Sequence, residues 1–141
     1  MSFVDLGFAR VDTDRARRCG FPEVIFGANK TPEEVAAIGR VILEKEGVLL
    51  VSRANEEQHM ALSGAFPTAR WHARARCLTV EITPVPKLEG TIGVVCAGTS
   101  DLPVAEEASV TLDRMARTNS SFSLGRNWFE WTRSRSHRTK A

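Results

Sequence analysis

The sequence predicts an α/β protein: a small amino-terminal α/β domain followed by the first strand–turn–helix unit of a parallel sheet. Two observations carry that prediction, and a third divides the chain. Short apolar runs such as residues 48–51 alternate with capped helical patterns over the first 82 residues. Residues 92–97 are apolar throughout, as in a strand covered on both faces, and break at Gly98-Thr99-Ser100-Asp101 before a helical stripe of Val104, Ala108, Leu112 and Met115. Between the two parts, residues 83–90 carry Pro84 and Pro86 at alternate positions and end on Gly90, which marks an extended linker.

Residues 1–11 read as a lead-in. Residues 12–19 suit a short helix capped by Asp12 and closed by Gly20, with Arg15, Arg17 and Arg18 on a solvated face. A brief strand over 24–26 follows, with Phe21 and Phe26 expected in the core. Glu23 is expected to face water or find a partner, because a lone buried carboxylate is costly. Thr31-Pro32-Glu33-Glu34 is the clearest helix start: an N-cap, a proline in the first turn and two acids near the positive end of the dipole. Val35, Ile38 and Ile42 form its apolar stripe, and Gly47 closes it.

After the strand at 48–51, Arg53 stands where open α/β sheets bind ligands, beyond a strand's carboxyl end. Asn55 caps a second helix with Met60, Leu62 and Phe66 as its inner face. Residues 71–82 read as a strand pair or one long strand; on one strand, Arg70, Arg74 and Arg76 would share a face suited to an anion. At Gly98-Thr99-Ser100-Asp101 two readings stand. Either Ser100 or Asp101 merely caps the helix, or the turn cradles a phosphate with free N–H groups and two hydroxyls. From Arg117 onward no helical or strand period is sustained.

The chain of 141 residues has a formal charge of +2, which hides an asymmetry. Residues 1–112 hold 12 Lys/Arg against 15 Asp/Glu, whereas residues 113–141 hold 7 against 2. Cys19, Cys77 and Cys96 are odd in number and widely spaced, with no CxxC pair, which argues against a disulfide framework and a zinc site and fits small apolar residues in a reducing cytosol. The three histidines have no ligand spacing, and no run is long enough to span a membrane. A cytoplasmic location is therefore expected.

Ala9-Arg10-Val11-Asp12, Arg15, residues 20–27 (GFPEVIFG), Lys30-Thr31, Ala75-Arg76 and residues 95–108 (VCAGTSDLPVAEEA) together resemble the LarB family. That family's catalytic domain is similar to the phosphoribosyl-aminoimidazole carboxylases of purine synthesis. The resemblance covers about residues 9–116; Thr13-Asp14 and Trp71-His72 depart from it. It implies an aminoimidazole-carboxylase-like second domain and carboxylation of the pyridinium ring of nicotinic acid adenine dinucleotide, with release of AMP, toward a nickel-pincer nucleotide. Carbon dioxide or bicarbonate would be the co-substrate, Mg2+ is a candidate ion, and the family implies a homo-oligomer. No cofactor motif is evident in the chain itself.

On this resemblance Gly98, Thr99, Ser100 and Asp101 are the expected nucleotide-phosphate site, and Arg10, Asp12, Arg15, Lys30, Arg53 and Arg76 are candidate substrate contacts. Glu106 and Glu107 are expected to be exposed or to face another subunit. No catalytic residue is identified, because the family's reactive cysteine is expected nearer the carboxyl end of a full-length member; Cys96 is not assigned that role. The expected organisation is an amino-terminal domain over 1–83, a proline linker over 84–90, the start of the carboxylase-like domain over 91–116, and a divergent or frameshifted basic tail over 117–141. Such a chain would lack its catalytic half and be inactive alone. The alternatives are an aminoimidazole-ribonucleotide carboxylase role, a nucleotide-binding module without turnover, and a single-stranded nucleic-acid binder using Trp128, Phe129, Trp131 and the basic tail. The lack of any nucleic-acid-binding motif counts against the last.

Overall fold

Capping chemistry sets most of the element boundaries in the computed structural model, which describes residues 2–84, 90–115 and 119–124. The amino-terminal residues pair as an antiparallel hairpin, β1 (Phe3–Asp5) with β2 (Arg10–Asp12). Within the described residues, the lead-in thus forms a strand pair. The first helix, α1 (Arg15–Cys19), is shorter than the sequence suggests. Asp12 belongs to β2 instead of capping the helix: its carboxylate accepts the Asp14 N–H at 3.0 Å and pairs with Arg18. Gly20 closes α1 as expected, at φ 83° with its N–H donated to Ala16.

β3 (Ile25–Phe26) leads to α2 (Pro32–Glu46), which opens on a complete capping box. The Thr31 hydroxyl accepts from the Glu34 N–H at 3.2 Å, and the Glu34 carboxylate accepts from the Thr31 N–H at 2.8 Å. Gly47 ends the helix at φ 71°, and a side chain there would also lie 2.8 Å from the Thr83 Cβ. β4 (Val48–Ser52) follows at once, and a second capping box between Asn55 and Gln58 opens α3 (Glu56–Ala65). β5 (Arg70–His72) and β6 (Cys77–Glu81) then form a hairpin, so the strand-pair reading of residues 71–82 holds. Arg70, Arg74 and Arg76 do not share a face. Arg74 lies in the turn, and Arg76 sits at φ 51° closing it.

The main sheet has the order β3-β4-β6-β5, with only the β3–β4 pair parallel. Alternation along the strands sends two apolar sets to opposite faces. Leu49 and Val51 of β4, with Leu78 and Val80 of β6, meet Val35, Ile38, Ile42 and Leu43 of α2 and Leu62 of α3 in the main core. Burying each such side chain contributes on the order of 1.5–3 kcal/mol. The opposite face carries Leu50, Ala75 and Cys77 in a smaller cluster with Val24 and Val110.

Val110 comes from the second part of the chain. β7 (Thr91–Cys96) runs into a single 3-10 turn over Thr99–Asp101, then α4 (Leu102–Met115), then β8 (Asn119–Leu124). β8 pairs parallel to β7 from Thr91↔Asn119 to Cys96↔Leu124, which makes a βαβ unit. The sheet thus continues past residue 116, where the sequence shows no strand period.

Several expected core residues are instead exposed. Phe26 lies on the two-residue edge strand and is 59% exposed, and Met60 of α3 is 73% exposed. Val104 is 61% exposed, while Ala105 is buried, so α4 turns a different face inward from the predicted stripe. Cys77 and Cys96 are buried as expected; Cys19 is exposed. Residues 85–89 of the expected linker and the aromatic, basic segment after residue 124 lie outside the described residues.

Candidate functional site

The turn after β7 leaves the side chains of Thr99, Ser100 and Asp101 exposed. Gly98 is extended at φ −117°, and no side chain caps the 3-10 turn. Two of the turn's N–H groups are used internally: Asp101 donates to the Gly98 carbonyl at 3.2 Å and Leu102 to the Thr99 carbonyl. Thr99, Ser100 and Asp101 are exposed, and among the described residues no partner takes the hydroxyls of Thr99 or Ser100. A Cβ at position 98 would sit 3.5 Å from both the Asp101 carboxylate and the Ser100 hydroxyl, an ordinary contact distance, so the turn does not require glycine there. Neither Ser100 nor Asp101 acts as the side-chain cap of the 3-10 turn.

The expected substrate contacts scatter over three places. Arg10 and Lys30 line one concavity beside β3. Asp12 and Arg15 lie around α1: Asp12 is engaged by Arg18, and the Arg15 guanidinium stacks 5.4 Å over the Phe21 ring. The Arg15 Nε is buried without a hydrogen-bond partner among the described residues. Arg53 and Arg76 stand together on the other side of the sheet, both at φ 51°. Arg76 donates to the Ala54 carbonyl at 3.3 Å, a backbone-bracing role.

Arg53 is engaged by α4. Its guanidinium meets the Glu107 carboxylate at 3.2 Å and 3.1 Å, and Arg74 approaches Glu106 at 3.8 Å. Further along α4, Arg114 pairs with Glu81 of β6. Glu106 and Glu107 are therefore half-buried and face the four-stranded sheet of their own chain, contrary to the expectation that they are exposed or subunit-facing. The helix that starts at the turn is thus held by charge along one flank, against arginines that end or connect the strands of the main sheet.

Beneath that flank lie the perturbed groups. Burial pushes the Cys77 thiol up to about 11, with the Glu107 charge adding to it. A thiol so placed stays protonated at neutral pH and is no nucleophile. His72 shares a hydrogen bond of 3.1 Å with the buried Thr79 hydroxyl, and burial, reinforced by Arg114, holds its pKa below the usual imidazole value. No group of three or more His, Cys, Asp or Glu among the described residues is arranged to hold a metal.

Sequence reasoning missed Gln58, which is 1% exposed. Its amide donates to the carbonyls of Gly27 at 2.8 Å and Lys30 at 2.7 Å, and its oxygen accepts the Asn55 N–H at 3.1 Å. The available signal was its place three residues after Asn55, where a capping box puts Glu or Gln.

The chain is 30% identical over 117 residues to an uncharacterized protein, MJ0165, of Methanocaldococcus jannaschii; the match takes in 75% of this chain and 44% of that protein, less than half its length. Residues 3–83, which contain the hairpin, the four-stranded sheet and the helices α1 to α3, match the LarB/PurE-like N-terminal domain. With more than half of its length matched, the chain belongs to the LarB/PurE-like N-terminal domain family.

Proposed function

We propose that this chain takes part in carboxylation of a nucleotide ring, and that the turn Gly98-Thr99-Ser100-Asp101 holds the phosphate of that nucleotide. The observation that carries the reading is the β7–α4–β8 unit: two parallel strands joined by a helix, with the turn at the carboxyl end of the first strand. Ligands of parallel α/β sheets sit at that edge, and helix N-termini there favour anions. Thr99 and Ser100 donate their hydroxyls to phosphate oxygens, and Asp101 accepts from a ribose hydroxyl. In this reading residues 1–83 form an amino-terminal domain, residues 84–90 a linker, and the chain from residue 91 the nucleotide-binding part.

Family membership and the open turn support nicotinic acid adenine dinucleotide as the nucleotide in the LarB-type reaction. Phosphoribosyl-aminoimidazole presents the same phosphate and is the second substrate class. Carboxylation needs an anchored ring and a site that excludes water, and the turn supplies the anchor.

Calorimetric titration with AMP tests the anchor. Wild-type protein should bind AMP weakly and lose it to inorganic phosphate. Ser100→Ala should weaken binding about tenfold, as expected for one charge-assisted hydrogen bond. Removing residues 125–141 should leave AMP binding unchanged. If that deletion abolishes binding to single-stranded oligonucleotides while Ser100→Ala changes nothing, the chain is a nucleic-acid binder and the phosphate reading fails.

A further inference from the structure

A concavity of about 250 Å³ opens between β2, β3 and the loop that enters α2. Its floor is apolar: Val11, Ile25 and Ile38 are 2%, 3% and 6% exposed. Around that floor stand Arg10, Lys30, Glu23 and the ring of Phe26. Lys30 and Glu23 are half-buried, yet neither has an ion pair among the described residues. Withdrawing charges from water without pairing them is unfavourable, so a fold that keeps two in one apolar-floored hollow leaves them available to a ligand.

The hollow is also held in shape. Residues 27–30 are wound tightly, with Asn29 at φ 63°, and the buried amide of Gln58 grips the loop at the carbonyls of Gly27 and Lys30. Gly27 is required beneath this grip, because a Cβ there would lie 2.9 Å from the Gln58 oxygen and 3.1 Å from the Ser52 carbonyl. The backbone that carries Lys30 is therefore pinned from the core, whereas Phe26, 59% exposed on an edge strand, has no packing role that explains its place.

We infer that this hollow is a second ligand site, for a small anion carried on a flat ring. Arg10 and Lys30 take a carboxylate or phosphate monoester, the Phe26 ring and the apolar floor take the ring, and Glu23 accepts from a donor on its edge. Its volume is below the usual range for drug-sized ligands and matches a single ring better than a whole dinucleotide. The site stands whether or not the turn at Gly98 binds phosphate.

Isotope-labelled full-length protein, titrated with phenyl phosphate and separately with benzoate, tests this by the shifts of backbone amide resonances. Saturable shifts over residues 25–30 with either compound are expected, and which of the two binds more tightly tells phosphate monoester from carboxylate. Lys30→Gln should weaken binding about tenfold, Lys30→Arg should restore most of it, and Phe26→Ala should weaken it at least threefold. Ser100→Ala should change nothing here, which separates this site from the turn. Three results would overturn the inference: no saturable shift with either ring anion, inorganic phosphate binding as tightly as phenyl phosphate, or a correctly folded Lys30→Gln protein with wild-type affinity.

Discussion

The guanidinium of Arg53 meets the carboxylate of Glu107 through two contacts, of 3.2 Å and 3.1 Å, across 54 residues of sequence. Arg53 makes this pair from the left-handed backbone region, at φ 51°, just past the end of β4. A non-glycine residue there costs roughly 1 kcal/mol, whereas a partly exposed ion pair returns only about 0.2–1 kcal/mol. The two effects are comparable, and their balance decides how a substitution behaves.

Arg53→Gly should therefore be close to neutral in urea unfolding, because it loses the pair and relieves the backbone. Arg53→Ala keeps the strain and loses the pair, so it should be less stable than Arg53→Gly by about 1 kcal/mol. A double-mutant cycle with Glu107→Gln should give a coupling below about 1 kcal/mol that shrinks in 0.5 M salt, roughly as screening requires. Zero coupling at low salt would mean that α4 does not rest on this pair in solution.

Gln58 should matter far more than its helix position suggests. Gln58→Leu leaves the Lys30 carbonyl without its side-chain donor and the Asn55 N–H without its acceptor, while the Gly27 carbonyl keeps the Lys30 N–H at 3.2 Å. Each unsatisfied buried group costs about 1–3 kcal/mol, so a loss of roughly 2–5 kcal/mol is expected from chemical denaturation. Gly27→Ala should also destabilise, because its new methyl would press on the Gln58 side chain and the Ser52 backbone. A Gln58→Leu protein as stable as wild type would contradict the bonding assigned to this amide.

Much of the fold was legible because it is written locally. The Thr31 box, the glycines at 20 and 47, and the apolar run ending at Cys96 each place an element boundary from a few neighbouring residues. What was illegible depends on distant partners. Asn119–Leu124 alternates serines with Phe122 and Leu124 too sparsely to signal a strand, and becomes one only beside β7. Phe26 has the side chain of a core residue but falls on the sheet edge. Glu106 and Glu107 read as solvent-facing because their arginines arrive from the other half of the chain. The turn at 98–101 was visible as a motif, whereas the hollow beside Lys30 combines residues from three separate segments.

Thiol reactivity should separate the three cysteines by burial. At pH 8 a disulfide reagent should react quickly with Cys19 alone, and with Cys77 and Cys96 only after denaturant is added. The Cys77 thiol titrates at 9.0 in its usual state and at about 11 in the fold, so the native state holds that proton more tightly. Its contribution to stability is whole below about pH 9 and is lost as pH rises toward 11. Cys77→Ala should flatten that alkaline loss, measured as the urea midpoint at pH 8 and pH 10.5. A midpoint that falls as steeply in Cys77→Ala as in wild type would exclude Cys77 as its source.

At the acid end the same face of the sheet should respond through His72. Burial disfavours its imidazolium form and the Arg114 guanidinium repels it; Arg70 acts in the same direction, and these outweigh the opposing pull of Glu106 and Asp113. The folded chain therefore prefers neutral His72, while the unfolded chain takes up a proton near the usual value of 6.5. A group whose pKa is lowered by folding stabilises the fold above the unfolded value. That contribution is lost as pH falls below it, since the unfolded state then binds more protons. Urea midpoints should accordingly drop between pH 7.5 and pH 5.5. His72→Gln can still hydrogen-bond the buried Thr79 hydroxyl but cannot titrate, so it should lose less stability over the same interval than wild type. Arg114→Gln should reduce the drop in part, because it removes the repelling charge while leaving the burial. If His72→Gln and wild type lose stability equally between the two pH values, the proton is taken up elsewhere and His72 is not the acid-sensitive group of this face.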